Sequence, residues 1–186
     1  DKSRHGSQVF SFPILGDDSL IPTLVGRGFS SFAVAMGGIG QFGLRRRLFE
    51  RAVSAGLEPR IIRHNSAVIS PNAVLEGGVQ VLAGAVINAS ALVREDVIIN
   101  TGAIVEHDCV VGRHVHLAPR SCILGGVTIE DEVHLGAGAI IRENLRIGAR
   151  AVVGAGAVVV RDVPPDTTVV GVPAVEIWRS KNVRTS

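Results

Sequence analysis

Residues 97–117 read VIINTGAIVEHDCVVGRHVHL, and within them an aliphatic residue returns at every sixth position. The same spacing runs without an insertion through residues 67–160. The positions that share it are Ile69, Leu75, Val81, Ile87, Val93, Ile99, Val105, Val111, Leu117, Ile123, Ile129, Leu135, Ile141, Ile147, Val153 and Val159. An α-helix needs a period near 3.6 and a simple strand a period of 2. The period of six instead predicts a parallel β-helix, in which short strands wind around a prism and each coil stacks on the next.

The other positions of the repeat fit such a prism. Three hexads form one coil of about eighteen residues, so the repeat predicts between about five and six coils. Glycine recurs at the predicted corners, as in Glu76-Gly77-Gly78, because tight corners favour residues that tolerate positive φ. Small side chains lie two residues before most of the aliphatic positions, where the interior has little room: Ala67, Ala73, Ala85, Ala91, Ala103, Cys109, Ser121, Ala139, Ala151 and Ala157.

The composition agrees with a narrow core and argues against several kinds of partner. The chain has 186 residues, of which 46% are hydrophobic but only 4% aromatic, with 22 glycines and no tyrosine. Valine, isoleucine and alanine suit a core that is too narrow for rings. The net charge is +2, and the basic residues are scattered rather than interleaved with aromatics, so nucleic acid is not a predicted partner.

The two cysteines and the apolar runs indicate a reduced, non-membrane protein. Cys109 and Cys122 lie thirteen positions apart, which fits neither a one-coil stack nor a metal-binding CxxC pair. We interpret them as free thiols in a cytoplasmic protein. The longest apolar run, residues 151–160, is too short to span a bilayer, and no signal peptide is visible, so no membrane insertion is expected.

Residues 1–66 lack the six-residue period and are predicted to form a small, partial α/β domain before the β-helix at 67–174 and a tail at 175–186. Alternating strands and helices indicate a parallel, Rossmann-like unit. The predicted elements are strands at 9–15, 31–36 and 59–63, a loop or short helix at 17–25, and a basic helix at 44–55 that Gly56 closes.

A glycine-rich stretch joins the second predicted strand of this domain to its helix. Residues 38–43 read GIGQFG and match G-x-G-x-x-G, which can place a pyrophosphate at a helix N-terminus. The segment is too short to supply both halves of a dinucleotide fold. NAD binding, contact with another nucleotide-linked ligand and a plain turn therefore all remain open.

Chemistry is expected on the outside of the prism, because aliphatic side chains fill its interior. His107 follows the inward Val105 by two residues and should project from a corner, next to Asp108. Gly125 comes eighteen residues later and should stack on His107 about 5 Å away, which pairs an imidazole base with a glycine amide. His116 and His134 are also eighteen apart and form a possible two-histidine ladder, whereas His114 is interpreted as a surface residue.

At these residues the sequence resembles the hexapeptide-repeat sugar acetyltransferases of the PglD/NeuD type. The resemblance covers nearly the whole chain and is most specific around Glu106-His107-Asp108. It extends over residues 32–38, 44–49, 64–71 and 100–108 and the terminal Gly171-Val172-Pro173-Ala174. It implies a left-handed β-helix and a homotrimer with active sites between neighbouring subunits.

The resemblance also implies roles for individual residues. His107 is similar to the family's general base, and Asp108 to the acid that orients it. Gly125 matches the residue whose amide meets the thioester oxygen, and His116 the histidine that contacts acetyl-CoA. Two further pairs are implied, with the cofactor lying along Ala137 and Ala155 and the sugar nucleotide near Gly37 and Asn100.

The function implied is N-acetylation of a nucleotide-linked amino sugar for surface glycan synthesis, with acetyl-CoA as co-substrate. The sugar amine would attack the thioester directly while His107 accepts its proton, so neither a metal nor a covalent enzyme intermediate is expected. The family also has a first strand and a Gly-His turn that are absent before Asp1, and Leu15-Gly16-Asp17-Asp18 is similar to the acidic end of its second strand. Either the N-terminal domain is truncated at this point, or the segment lies outside the 186 residues of this sequence.

Three other functions remain open from the sequence. The same scaffold and base could O-acetylate sialic acid or a related sugar. A zinc-dependent β-helix similar to carbonic anhydrase would use His107, His116 and His134, or histidines of a neighbouring subunit, as ligands. A non-catalytic solenoid would need none of the clustered base, acid and glycine.

Overall fold

A computed structural model describes residues 4–37 and 42–177 of the chain. Within these ranges the protein is mainly β, with one α-helix and two short 3₁₀ helices. The elements before the prism are β1 (Gln8–Val9), β2 (Phe12–Pro13), 3₁₀ helices at Asp18–Thr23 and Val25–Arg27, β3 (Ser31–Phe32), α1 (Phe42–Ser54) and β4 (Glu58–Pro59).

The rest of the described chain is a stack of very short strands joined by corners. They are β5 (Ile62–Arg63), β6 (Val68–Ile69), β7 (Val74–Leu75), β8 (Gln80–Val81), β9 (Val86–Ile87), β10 (Leu92–Val93), β11 (Ile98–Ile99), β12 (Ile104–Val105), β13 (Val110–Val111), β14 (His116–Leu117), β15 (Cys122–Ile123), β16 (Thr128–Ile129), β17 (His134–Leu135), β18 (Ile140–Ile141), β19 (Arg146–Ile147), β20 (Val152–Val153), β21 (Val158–Val159), β22 (Thr168–Val170) and β23 (Val175–Glu176).

These strands form the three parallel faces of a β-helix of about six coils, which confirms the predicted main fold. We call the sheet β5-β8-β11-β14-β17-β20-β22 face 1, the sheet β6-β9-β12-β15-β18-β21 face 2 and the sheet β7-β10-β13-β16-β19 face 3. The pairing joins residues eighteen apart, as in Ile104 with Cys122 and His116 with His134. Strand β23 turns back antiparallel onto β22 at the end of face 1. The first strand of face 1 is β5, so the stack already includes Ile62.

The core of the prism consists of the aliphatic residues that the six-residue period selects. Val81, Ile87 and the equivalent residues of the middle coils are almost completely buried. The small residues that precede them, such as Ala103 and Cys109, are buried as well. Ile69 and Leu75 at the first coil are only partly buried, because fewer coils cover them. The interior therefore has no room for a ligand, and any site must lie on the corners or the outer faces.

The corners keep the eighteen-residue register through left-handed backbone conformations. Asp96, His114, Glu132 and Arg150 follow one another at the corner between faces 3 and 1, all with φ between 56° and 61°. Asp108 has φ 59° at the corner between faces 2 and 3. Side chains at these places lie on regular ladders that run along the prism.

The N-terminal unit differs from the sequence-based prediction in the extent of its strands. The predicted strand at 9–15 is a hairpin of β1 and β2, with Phe10 at φ 53° in its turn. The predicted strand at 31–36 pairs only at Ser31 and Phe32, in parallel with β4. Asp17 caps the first 3₁₀ helix, in agreement with the loop or short helix predicted at 17–25, because its carboxylate accepts from the Ser19 amide. One parallel strand pair joined by α1 is present here, and a Rossmann-like domain stays a prediction.

Helix α1 forms and ends as the sequence predicts, and it packs against the prism. Gly56, with φ 86°, ends the helix, and the amide of Leu57 donates to the Ala52 carbonyl. Phe49 is buried against Phe32, at a ring distance of 5.5 Å, and against His114, at 5.8 Å. The helix thus covers the corner between faces 3 and 1. No helix among the described residues has both the length and the apolar character needed to cross a bilayer.

Candidate active site

The corner between faces 2 and 3 brings the predicted base and its acid together. The Nδ1 atom of His107 lies 2.7 Å from the Oδ2 atom of Asp108. The left-handed conformation of Asp108 turns its side chain back toward its neighbour, and the two side chains are 63% and 65% exposed. With Asp108 ionised, Nδ1–H donates to the carboxylate and the lone pair is left on Nε2. The pair is therefore built like the base and orienting acid of a general-base catalyst.

Gly125 stacks on His107 in the next coil, as the eighteen-residue register predicts. A Cβ atom on Gly125 would lie 2.7 Å from Cε1 and 2.8 Å from Nε2 of His107, so the ring occupies the space that a side chain would need. The amide of the next residue, Gly126, donates to the His107 carbonyl. The Gly125 N–H has no acceptor among the described residues. A free amide and the free nitrogen of an imidazole thus lie on neighbouring coils of the same corner.

A second carboxylate supports this corner from the side. Glu106 accepts from the Asn88 side-chain amide at 2.8 Å and from the His107 backbone amide at 3.4 Å. Asn88 lies one coil before Glu106. These contacts hold the backbone of His107 in place.

His116 lies on the outer side of face 1, where it contacts Asn100. The two side chains meet at 3.1 Å, between Nδ2 of Asn100 and Nε2 of His116. Burial, and to a smaller extent the neighbouring His134 and Arg45, lower the pKa of His116 to about 4. His116 is therefore neutral at physiological pH, and its Nε2 can accept from Asn100 while Nδ1 carries the proton.

The predicted histidine ladder is present on face 1. The rings of His116 and His134 lie 5.1 Å apart in an edge-to-face arrangement, and burial lowers the pKa of His134 as well. Two neutral rings of this kind make a continuous imidazole surface beside Asn100. No group of three or more histidine, cysteine, aspartate or glutamate side chains that could hold a metal occurs within residues 4–37 and 42–177.

Ala137 and Ala155 stack at the corner between faces 1 and 2. Both are exposed, and they lie on the same ladder as Thr101. Gly136 beside them leaves no space for a Cβ atom, because the backbone of Ala155 lies directly against it. The corner therefore presents a smooth strip of small residues along the prism, which fits the narrow chain of a pantetheine arm.

The candidate residues fall into two groups on opposite edges of face 2. His107, Asp108 and Gly125 lie at the corner after the strands of face 2. The second group lies on face 1 or at the corner between faces 1 and 2, and it consists of Asn100, His116, Ala137 and Ala155. A single chain thus does not bring the base next to the predicted cofactor strip.

The predicted sugar-nucleotide residue Gly37 is exposed and follows an irregular segment after β3. Among the described residues, no atom beyond those of its chain neighbours would lie within 4 Å of a Cβ at this position. Residues 38–41 of the glycine-rich motif lie outside the described residues. Sequence reasoning missed the contacts that hold this segment, which come from Arg45 and Gln80. A basic residue on an amphipathic helix gives no signal that it will be buried.

Comparison with known proteins agrees with this architecture. The family profile described as bacterial transferase hexapeptide (six repeats) matches residues 126–161. No curated protein gives a sequence match.

Several solved structures are similar over nearly the whole chain. PerB from Caulobacter crescentus, in complex with CoA and GDP-perosamine, is 42% identical with a TM-score of 0.87, over 91% of this chain and 81% of PerB. A variant of perosamine N-acetyltransferase from the same organism, in complex with the same two molecules, is 40% identical with a TM-score of 0.88, over 94% and 82% of the two chains. The acetyltransferase domain of PglB from Neisseria gonorrhoeae FA1090, in complex with acetyl coenzyme A, is 34% identical with a TM-score of 0.84, over 91% and 81%.

Proposed function

Because this chain belongs to the hexapeptide-repeat sugar acetyltransferases, we propose that it moves the acetyl group of acetyl-CoA to the amine of a nucleotide-linked amino sugar in glycan biosynthesis. The sugar N-acetyltransferase reaction and its acetyl-CoA co-substrate follow from the relatives. A GDP-linked sugar is the first acceptor to test, since two of those relatives are complexes with GDP-perosamine. The single observation that carries the catalytic assignment is the His107–Asp108 contact beside the open amide of Gly125.

The reaction begins at the amine of the sugar, which attacks the thioester carbonyl carbon. His107 accepts a proton from that amine at Nε2, and Asp108 stabilises the imidazolium through Nδ1–H. The tetrahedral intermediate then collapses, the bond between carbon and sulfur breaks, and the imidazolium returns its proton to the thiolate of CoA. General-base catalysis of this kind accelerates a reaction by about 10²- to 10⁴-fold.

The thioester oxygen gains negative charge during the attack, and in this assignment the Gly125 amide donates to it. A single preorganised donor of this kind contributes about 3 kcal/mol to the transition state. Because Gly125 has no side chain, the acyl group can approach both the amide and the ring of His107. In this assignment, His116 contacts acetyl-CoA, the pantetheine arm lies along Ala137 and Ala155, and Gly37 and Asn100 face the sugar nucleotide.

We further propose a homotrimer in which the two groups of residues meet across a subunit interface. The outward side chains of face 2 support it, because all are apolar: Val68, Val86, Ile104, Cys122, Ile140 and Val158. Val68 is 62% exposed in the single chain, and burying such side chains is favourable. The base of one subunit would then act on a thioester held by the cofactor strip of the next. Light scattering should give three times the mass of the chain, and a monomer would contradict this assembly.

The experiment that tests the function is release of CoA from acetyl-CoA with a panel of acceptors. The panel contains GDP-, UDP- and dTDP-linked 4-amino sugars and free sialic acid. The wild-type protein is compared with His107→Ala and with His64→Ala, which removes an exposed corner histidine outside the site. We expect turnover with one amino sugar, lost in His107→Ala and kept in His64→Ala. Turnover with sialic acid alone would favour O-acetylation, and full activity of His107→Ala would refute the assigned base.

A further inference from the structure

Arg45 of helix α1 is a buried cation that the reaction does not use. Its side chain is 5% exposed, and its NH2 atom lies 2.6 Å from Oδ1 of Asp96, whose side chain is fully buried. Asp96 is further fixed by its second oxygen, Oδ2, which accepts from Nδ1 of His114 at 3.0 Å. Charged side chains are rarely buried to this degree unless they are paired and hydrogen-bonded. A contribution to solubility or to surface charge therefore does not explain why Arg45 is buried here.

The other end of the guanidinium holds the segment that follows β3. NH1 of Arg45 donates to the carbonyls of Val34, at 2.7 Å, and Met36, at 2.6 Å. The Val34 carbonyl also accepts from the side-chain amide of Gln80 on face 1, at 2.8 Å. In a β-strand these carbonyls would accept hydrogen bonds from the backbone amides of a neighbouring strand. Here side chains donate to them instead, which explains why β3 ends at Phe32. The segment leads directly to Gly37.

Asp96 connects the same guanidinium to the strand that leads to Asn100. Strand β11 lies between these two residues, with Asp96 before it and Asn100 after it. Asn100 contacts His116 on the adjoining strand, and Arg45 is close enough to His116 to lower its pKa. A single side chain thus joins the segment before Gly37 to the part of face 1 where the sugar-nucleotide residues were predicted.

We infer that Arg45 is a positioning residue for the nucleotide-linked sugar, because it fixes residues 34–37 to Asp96 and so sets the distance between Gly37 and Asn100. This inference rests on the proposed function for its substrate, but the anchoring itself does not. Arg45 touches neither the base at His107 nor the cofactor strip at Ala137. No hydrogen bond joins Arg45 to His116, the predicted acetyl-CoA residue that lies near it. The loss of Arg45 should therefore affect the sugar substrate far more than acetyl-CoA.

The test compares variants of the 186-residue chain. Arg45→Gln removes the charge and the fork of donors, and Arg45→Lys keeps the charge but not the planar fork. The double variant Arg45→Gln/Asp96→Asn avoids an uncompensated buried carboxylate, so it keeps the test valid where the single variant folds poorly. Arg46→Gln is the matched control, since Arg46 on the same helix also bridges to the prism, through Glu132 at 2.8 Å, without touching residues 34–36.

Two measurements are made on each variant. Hydrogen exchange of peptides that contain residues 34–37 reports the anchoring without any substrate. Steady-state kinetics report KM for the sugar nucleotide and for acetyl-CoA separately. In Arg45→Gln and in the double variant, we expect faster exchange in residues 34–37 and a KM for the sugar nucleotide raised about tenfold or more. KM for acetyl-CoA should stay within about twofold, Arg45→Lys should lie in between, and Arg46→Gln should behave as wild type.

Each other outcome overturns part of the inference. Unchanged exchange in residues 34–37 would show that Arg45 does not anchor the segment. Faster exchange with an unchanged KM for the sugar would show that the segment does not position the substrate. Equal rises in both KM values would indicate general destabilisation. A wild-type protein that acetylates no sugar of the panel would refute the proposed function and with it the substrate half of the inference, while the exchange data would still decide the anchoring.

Discussion

The Nδ1 atom of His107 and the Oδ2 atom of Asp108 lie 2.7 Å apart at an exposed corner of the β-helix. Adjacent residues rarely face each other in an extended chain, because successive side chains point in opposite directions. The φ of 59° at Asp108 removes that restriction. The same left-handed conformation recurs at other corners of the β-helix. The contact between this acid and this base therefore follows from the ordinary geometry of a corner.

Asp108→Asn should lower kcat by at least about tenfold, with a normal thermal midpoint. Asparagine tolerates the left-handed conformation but does not hold the imidazolium by charge. Asp166→Asn is the matched control, because Asp166 has the same φ of 59° and pairs with Arg150 at a corner outside the site. Steady-state kinetics of the three proteins check this. A wild-type kcat in Asp108→Asn would remove Asp108 from the mechanism.

Gly125→Ala should lower kcat by about tenfold or more without unfolding the protein. The new Cβ atom would need the place of Cε1 and Nε2 of His107, so the ring must turn away. The backbone of Gly125 is not in the left-handed region, and alanine brings no strain of its own there. Gly26→Ala is the control, since in the part of the chain that the structure describes nothing beyond its chain neighbours lies within 4 Å of a Cβ at that position. If Gly125→Ala kept full activity, the acyl group could not lie between this amide and His107.

The sequence predicted the prism and the stacking of candidate residues on successive coils, because both follow from one period. An inward position every six residues fixes which side chains are buried, and a coil of eighteen residues places Gly125 on His107 and His134 on His116. The contact between Arg45 and Asp96 spans 51 residues and obeys no period, so only the packed structure reveals it. The strand predicted at 31–36 is too long because the carbonyls of Val34 and Met36 accept from Arg45, a contact that no sequence period reveals.

His116 should make the protein less stable in mild acid. Its pKa is about 4 in the folded protein and close to the ordinary 6.5 when unfolded. Between these values the unfolded chain binds more protons, so the titration of His116 leaves the free energy of unfolding unchanged above pH 6.5 and lowers it as the pH falls toward 4. From pH 7.5 to pH 5 this amounts to about 2 kcal/mol.

The measurement is denaturant unfolding of wild type, His116→Gln and His64→Gln at these two pH values. His116→Gln should lose most of the 2 kcal/mol difference, while a residual dependence remains because burial also lowers the pKa of His134. His64→Gln, which alters an exposed histidine, should behave as wild type. Equal pH dependence in His116→Gln and wild type would show that His116 is not held neutral by burial.

Neither cysteine should react with Ellman's reagent in the folded protein at pH 7.5. Cys109 is buried, its Sγ donates to the Leu124 carbonyl at 3.1 Å, and burial raises its pKa to about 11. Burial raises the pKa of Cys122 as well, with a further contribution from Glu106. Because only the thiolate attacks the reagent, on the order of one Cys109 in a thousand is reactive at a given moment. Two equivalents should appear only after denaturation, since both cysteines are free. Rapid release of one equivalent that Cys122→Ser abolishes would contradict this, and it would add a protein background to the CoA-release assay.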